Sequence, residues 1–238
     1  MRQRLQKIIS SAGICSRRRA EELLIQGRVE LNNKIAAIGD SADPNIDKIF
    51  IDGKIISSEI KFKVILLNKP PGIVSTCHDP HGRKTVIDLL PPNEIRKGLH
   101  PVGRLDRESR GAILLSNHGE LTLKLTHPKY SHNKTYRVWV EGIPSKITIK
   151  KWEEGVMLSQ KKTMPTKIKI IEISQRKSLL NIILREGRNR QIRRVAEKLG
   201  HPVLDLQRVS IANISLKNLK EGQWRELEHQ EWNHLIKN

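Results

Sequence analysis

Gly103-Arg104-Leu105-Asp106-Arg107-Glu108-Ser109-Arg110-Gly111, running straight into the apolar stretch Ala112-Ile113-Leu114-Leu115, is the part of this 238-residue chain from which the rest can be read. Two glycines bracket one aspartate set among three arginines. A carboxylate ringed by guanidiniums is held in its ionised form, because adjacent positive charge favours it. Such a group is a poor proton donor at neutral pH but a standing nucleophile or electrostatic stabiliser. Taken alone, the nonapeptide fits a solvated, salt-bridged loop better. The remainder of the chain reverses that reading.

Working outward, the chain carries 44 Lys+Arg against 25 Asp+Glu, a net charge of +19 that far exceeds what solubility needs. A surplus of this size fits nucleic acid or an anionic membrane surface. No stretch approaches the roughly 18 apolar residues of a membrane span, which leaves nucleic acid. Arg2, Arg4 and Lys7 interrupt any apolar run at the N-terminus, so no secretory signal is expected. Two cysteines, Cys15 and Cys77, make no disulfide framework, and a cytoplasmic protein is expected. Aromatic residues are 3% of the chain, too few for a surface built from many stacking platforms. The expected grip is on phosphates and on RNA shape.

Residues 1–58 read as one compact unit and 59–238 as a second, joined at Ser57-Ser58-Glu59. In the first, a helix over Leu5 to Ser10 stops near Gly13, and another starts after Ser16 and ends at Gly27. Arg28-Val29-Glu30-Leu31, the turn Asn32-Asn33, and the hairpin built on Asp52-Gly53 follow. Arg17, Arg18 and Arg19 fill the first turn of the second helix. Positive charge there opposes the helix dipole, which makes sense if an anion binds at that end. A tolerated surface charge run is the plainer alternative.

In the second unit, Val64-Ile65-Leu66-Leu67 reads as a buried strand. Thr135 to Glu141 alternates, with Tyr136, Val138 and Val140 on one face. Lys167 to Ile173 and Leu179 to Leu184 add two more strands. Helices are expected at Glu120–Thr126, Ser145–Glu154, Arg190–Leu199 and Glu228–Ile236. Strands and helices mixed without a regular βαβ period give an α+β fold: a mixed, largely antiparallel sheet with flanking helices, preceded by a small α/β domain. In the third helix, Ile192, Val195, Ala196 and Leu199 make one apolar face. Arg193 lies on its border, where a long side chain can snorkel toward a buried carboxylate. Arg190 and Arg194 point away, toward phosphates or water. Cys77-His78-Asp79-Pro80-His81 has ligand-type residues but no second cluster, and no phosphate-cradling glycine motif is present. Neither a metal nor any other cofactor is expected.

Four segments carry a resemblance. Gly103-Arg104-Leu105-Asp106, continued by Asn117-His118-Gly119-Glu120-Leu121, is preceded by Asn68-Lys69-Pro70-Pro71-Gly72. It is followed by Lys134-Thr135-Tyr136 and by Glu186-Gly187-Arg188-Asn189-Arg190-Gln191-Ile192-Arg193-Arg194. This ordered set resembles the bacterial ribosomal-RNA pseudouridine synthases that modify one or a few sites on small- or large-subunit rRNA. Gly13-Ile14-Cys15-Ser16-Arg17-Arg18 with Gly27-Arg28-Val29 resembles the small S-four-type RNA-binding domain that precedes the catalytic domain in that group. Ser109 and Ala112 depart from the usual Thr and larger aliphatic.

The resemblance implies that Asp106 starts cleavage of the uracil–ribose bond, after which the base rotates and rejoins through a ring carbon. Such an isomerisation needs no activated water, so one carboxylate suffices where glycoside hydrolysis takes two. It implies further that Tyr136 stacks on the target uracil, that Arg193 pairs with Asp106, and that Arg188 and Gln191 lie near the RNA. The target must be flipped out of its helix. Arg104 and Arg107, beside Asp106, are candidates to hold its phosphates or fill its place. The expected partner is rRNA or a ribosomal assembly intermediate, bound by a monomer with no membrane attachment. The rival readings are a non-catalytic ribosome-assembly protein using the same basic surfaces and, more weakly, a nuclease or N-glycosidase.

Overall fold

The structure, a computed structural model, describes residues 2–56, 61–92 and 94–237; the expected joint at Ser57-Ser58-Glu59 lies outside the described residues. In the N-terminal unit, helices Leu5–Ser11 and Arg17–Ile25 pack over a four-stranded sheet. Leu5, Ile8, Ile9, Leu23, Leu24 and Val29 form its core. The Ser16 side chain caps the second helix by accepting a bond from the Arg19 N–H. Asn32-Asn33 and Asp52-Gly53 all have positive φ, the geometry of two-residue hairpin turns whose twist matches the flanking strands.

The larger unit is built on a nine-stranded sheet among the described residues. Its main path runs Lys167–Ser174, Lys177–Leu184, Lys134–Glu141, Val203–Ile211, Arg110–Ser116, Val64–Lys69 and Trp224–Glu226. His100–Val102 and Ile214–Ser215 are appended to it, and every pairing is antiparallel except that of Val203–Ile211 with Arg110–Ser116. Val64–Lys69 is buried along its whole length because both sheet faces are covered. Ile65 and Leu67 pack with Ile113, Val138 and Ile192 on one side, while Val64 and Leu66 meet Leu114, Leu121 and Trp232 on the other. A strand enclosed on both faces needs a continuous apolar run instead of alternation. The expected α+β architecture is the one found.

Several elements differ from the sequence reading. The helix expected from Arg190 begins at Gln191, because Arg190 is a left-handed N-cap residue with φ of +48°. The helix expected over Glu228–Ile236 is two short ones, His229–Trp232 and His234–Lys237. Between them the bonding tightens from Asn233 N–H to His229 C=O toward Ile236 N–H to Asn233 C=O. Val203–Ile211, a nine-residue central strand, has no counterpart in the sequence reading.

The two units touch backbone to backbone. Gly98 approaches Gly13 so closely that a Cβ on Gly98 would lie 2.9 Å from the Gly13 Cα. Beside this contact a cleft of about 960 Å³ opens between the units, bordered by Lys7, Arg17, His100 and Glu120.

Candidate active site

The Asp106 loop is fastened from below. Lys69 ends its strand fully buried, and its ammonium donates to the carbonyls of Pro70 (2.9 Å), Arg107 (3.2 Å) and Ser109 (2.7 Å). The Gly72 N–H donates to the same Arg107 carbonyl, so Asn68-Lys69-Pro70-Pro71-Gly72 is a cradle for the loop. Ser75 Oγ donates to the Leu105 carbonyl and accepts from the Leu105 N–H. The Ser109 N–H closes a turn onto the Asp106 carbonyl. Burial pushes the Lys69 amine down to about 8, against the pull of the nearby Glu108 and Asp106 carboxylates.

Where the loop enters its strand, Gly111 passes the Val203–Ile211 strand at a distance no side chain would permit. A Cβ there would lie 2.2 Å from the Arg208 carbonyl oxygen. The flanking Arg110 is held by Asp205 (2.7 Å) and Glu221 (2.7 Å).

Above the loop lies a cavity of about 400 Å³. Asp106, Tyr136 and Arg193 line it, coming from a loop, a strand and a helix that are far apart in sequence. Arg104, Arg188, Arg190 and Gln191 line it as well. Of its two carboxylates, Glu186 is occupied by the Met164 N–H, Gln191 and Arg188. No hydrogen bond holds the Asp106 carboxylate among the described residues, which leaves it free toward the cavity. Tyr136 is buried on its strand face with Val138 and Val140.

The expected direct pair between Arg193 and Asp106 is absent among the described residues. The Arg193 guanidinium instead donates to Ser109 Oγ at 3.2 Å, and its Nε is buried without a partner. Ser109 is buried and belongs to the loop, so this bond ties the helix to the loop. Burial and Arg190 pull the Arg193 pKa down, whereas the Asp106 and Glu108 charges oppose them. Arg194 donates to Ser159 Oγ at 2.7 Å and does not line the cavity.

Other expected residues are partly occupied by protein. Arg188 donates to the Lys161 and Lys162 carbonyls at 2.8 and 2.5 Å, and Gln191 accepts from the Arg188 N–H. Arg190 pairs with Glu108 at 3.1 Å. Arg104 and Arg107 are exposed, and only Arg104 lines the cavity. Arg17, Arg18 and Arg19 are exposed on the N-terminal unit, with Arg19 paired to Glu22. In the Cys77–His81 stretch, the Asp79 carboxylate braces its own loop through Arg83 and the His81 and Arg83 N–H groups.

The sequence reading gave no role to three cations: Lys69 and Lys134, named only within their motifs, and Arg208. Each occupies an inward position in a strand, where only a polar residue closing or interrupting an apolar series marks it.

A carboxylate with no hydrogen-bond partner among the described residues, in a cavity rimmed by arginines on a mixed sheet that follows a small basic unit, points to an enzyme acting on a polyanion. Comparison with known proteins makes it specific. Residues 63–198 match the RNA pseudouridylate synthase family and residues 3–41 the S4 domain. The chain is 40% identical over 227 residues to ribosomal large subunit pseudouridine synthase B of Bacillus subtilis, covering 94% of this chain and 92% of that one. It is 38% identical over 236 residues to the dual-specificity RNA pseudouridine synthase RluF of Escherichia coli K12, covering 98% and 78%. A crystal structure of a pseudouridylate synthase superposes with a TM-score of 0.69 at 27% identity, over 98% of this chain and 99% of that one. The chain belongs to the RNA pseudouridylate synthase family.

Proposed function

We propose that this enzyme converts a uridine of ribosomal RNA to pseudouridine, with Asp106 as the nucleophile that starts cleavage of the uracil–ribose bond. The observation that carries the reading is the convergence of Asp106, Tyr136 and Arg193 on one cavity, with the Asp106 carboxylate free and the other lining carboxylate occupied. A non-catalytic RNA-binding protein has no use for a loop clamped so thoroughly beneath one unoccupied carboxylate. In this reading Tyr136 stacks on the flipped uracil. Arg193 fixes the loop through Ser109. Arg104, Arg107, Arg188, Arg190, Gln191 and Arg194 form the basic rim that meets the RNA.

The chain divides in function as 1–58, the RNA-gripping S4 unit, and 59–238, the catalytic unit. Arg17, Arg18 and Arg19 supply phosphate contacts in the first. The protein works as a monomer on rRNA or an assembly intermediate in the cytoplasm. Large-subunit rRNA is the first substrate to test, since the Bacillus subtilis relative is named for that subunit. The purified chain is incubated with large-subunit and small-subunit rRNA, and pseudouridine is mapped by base-specific chemical labelling. Labelled sites made by the wild-type chain and lost with Asp106→Asn support the assignment; product formed equally by Asp106→Asn overturns it.

A further inference from the structure

We propose that Lys134, backed by Arg208 and His132, forms a subsite for one RNA backbone phosphodiester flanking the flipped uridine. The site lies in the part of the cavity bounded by Gly103–Arg104 and Thr126–His132. It deepens the isomerase reading above and rests on it.

Register brings the groups together. Tyr136 stands directly opposite Arg208 in the antiparallel pair, and Lys134 lies two residues back on the same sheet face. All three line the cavity. Arg208 is 4% exposed. Its Nε donates to the Ala112 carbonyl at 2.7 Å, and one terminal nitrogen reaches the Arg104 carbonyl only at 3.5 Å. The other terminal nitrogen is buried with no partner, as is Nε2 of His132. Lys134 spends one donor on the His132 carbonyl at 3.3 Å. Burial is the main influence on its amine, followed by the like charge of Arg208; both push its pKa down.

Charge compensation separates these cations from most others nearby, and Arg193, which also has no ion pair, at least feels the opposing charges of Asp106, Glu108 and Asp205. Arg110, Arg188 and Arg225 are each matched by a carboxylate: Asp205 and Glu221, Glu186, and Glu231. Lys69 has three carbonyls and the opposing field of Glu108 and Asp106. Lys134 and Arg208 pair with no carboxylate among the described residues. A desolvated cation without a counter-ion is strongly unfavourable, so two side by side imply that the anion comes from outside. The anion must be charged before any chemistry occurs, which a phosphodiester is and a uracil carbonyl is not. An ammonium with further N–H donors behind it suits phosphate oxygens.

The test uses the full chain and a short large-subunit rRNA fragment that it binds, synthesised with a neutral methylphosphonate at one linkage at a time. Lys134→Gln should weaken binding of the unmodified fragment by roughly ten- to a hundredfold, the worth of a charge-assisted hydrogen bond. It should also reduce the slope of log affinity against log salt by about 0.7–0.9, the equivalent of one phosphate. One methylphosphonate position should weaken wild-type binding by a similar factor and leave Lys134→Gln unaffected. Lys134→Arg, which keeps the charge, should retain that coupling. Additive losses at every linkage, or an unchanged salt slope, overturn the subsite. Pseudouridine is mapped on rRNA in parallel. Product without coupling sinks the subsite alone, while coupling without product sinks the isomerase reading and leaves an RNA-phosphate site.

Discussion

The first turn of the Arg17–Ile25 helix and the floor of the Asp106 cavity are both rich in cations, yet the two sets do different physical work. Arg17, Arg18 and Arg19 are exposed, and Arg19 shares its charge with Glu22. Such groups attract RNA over a distance set by salt screening and impose little geometry. Lys69, Arg193 and Arg208 are buried or half-buried and are spent on carbonyls, a serine hydroxyl and uncompensated field. They fix the position of atoms, and their influence is much less sensitive to salt. Equal charge therefore divides into exposed charge at the N-terminal unit, suited to grip, and buried charge at the catalytic one, suited to placement. Each of the following tests would collapse that division if it came out the other way.

The largest effect is expected at the group the placement serves. Asp106→Asn should abolish pseudouridine formation in single-turnover assays while RNA affinity changes only a few-fold, since the amide keeps the shape and loses the proposed nucleophile.

Next comes Lys69→Met, which removes the donors to Pro70, Arg107 and Ser109 and should slow the chemical step by more than about tenfold, as the Pro70 and Ser109 carbonyls lose this donor and the Arg107 carbonyl keeps only the Gly72 N–H. Its pH signature is specific. The folded-state amine, at about 8, lies below its ordinary value of 10.5, so the unfolded chain holds the proton more tightly. The cost of burying the charge is full below pH 8 and disappears as the pH rises toward 10.5. Denaturant titrations should show wild-type stability gaining on Lys69→Met across that window. A flat difference would mean that the lysine is not desolvated.

Arg193→Ala and Arg194→Ala differ by one position and should differ in kind. The first removes a charged donor to Ser109 and should slow chemistry by roughly ten- to a hundredfold. The second removes a bond to Ser159 outside the cavity and should cost less than about fivefold at any step, as for an exposed charge. Equal effects on the chemical step would erase the distinction between the two faces of the helix.

Smallest for chemistry is the replacement of Arg17, Arg18 and Arg19 by Gln. Turnover on saturating RNA should be unchanged, while the salt slope of binding falls by about 0.7–0.9 for each phosphate released. Because Arg19 already has Glu22, Arg17 and Arg18 should carry most of the loss. An unaltered slope would make the cluster ordinary surface charge.

What the sequence disclosed follows the same division. Exposed charge is legible from composition and helix position, and apolar periodicity located Val64–Leu67, Thr135–Glu141 and the inner face of Gln191–Lys198. Buried charge is not legible that way, because pattern rules place Lys and Arg on the solvent side. Arg208 sits inward between Leu206 and Ile211, which disguised the Val203–Ile211 strand and with it one wall of the cavity. Lys69 read as the polar end of an apolar run, its cradling role hidden until the loop is seen above it. That Arg193 reaches Ser109 and not Asp106 depends on how a helix and a loop meet, and no periodicity encodes that.

The contact between Gly13 and Gly98 bears on how such a two-part enzyme can change over generations. Neither residue offers a side chain to trim or enlarge, and both have positive φ, so a replacement at either strains its own backbone and wedges the units apart. Each glycine is thus a condition on the other, although they belong to modules that match separate families. An S4 unit borrowed from another protein could bring the same arginines and still set the two units at a different angle, for one extra carbon at position 13.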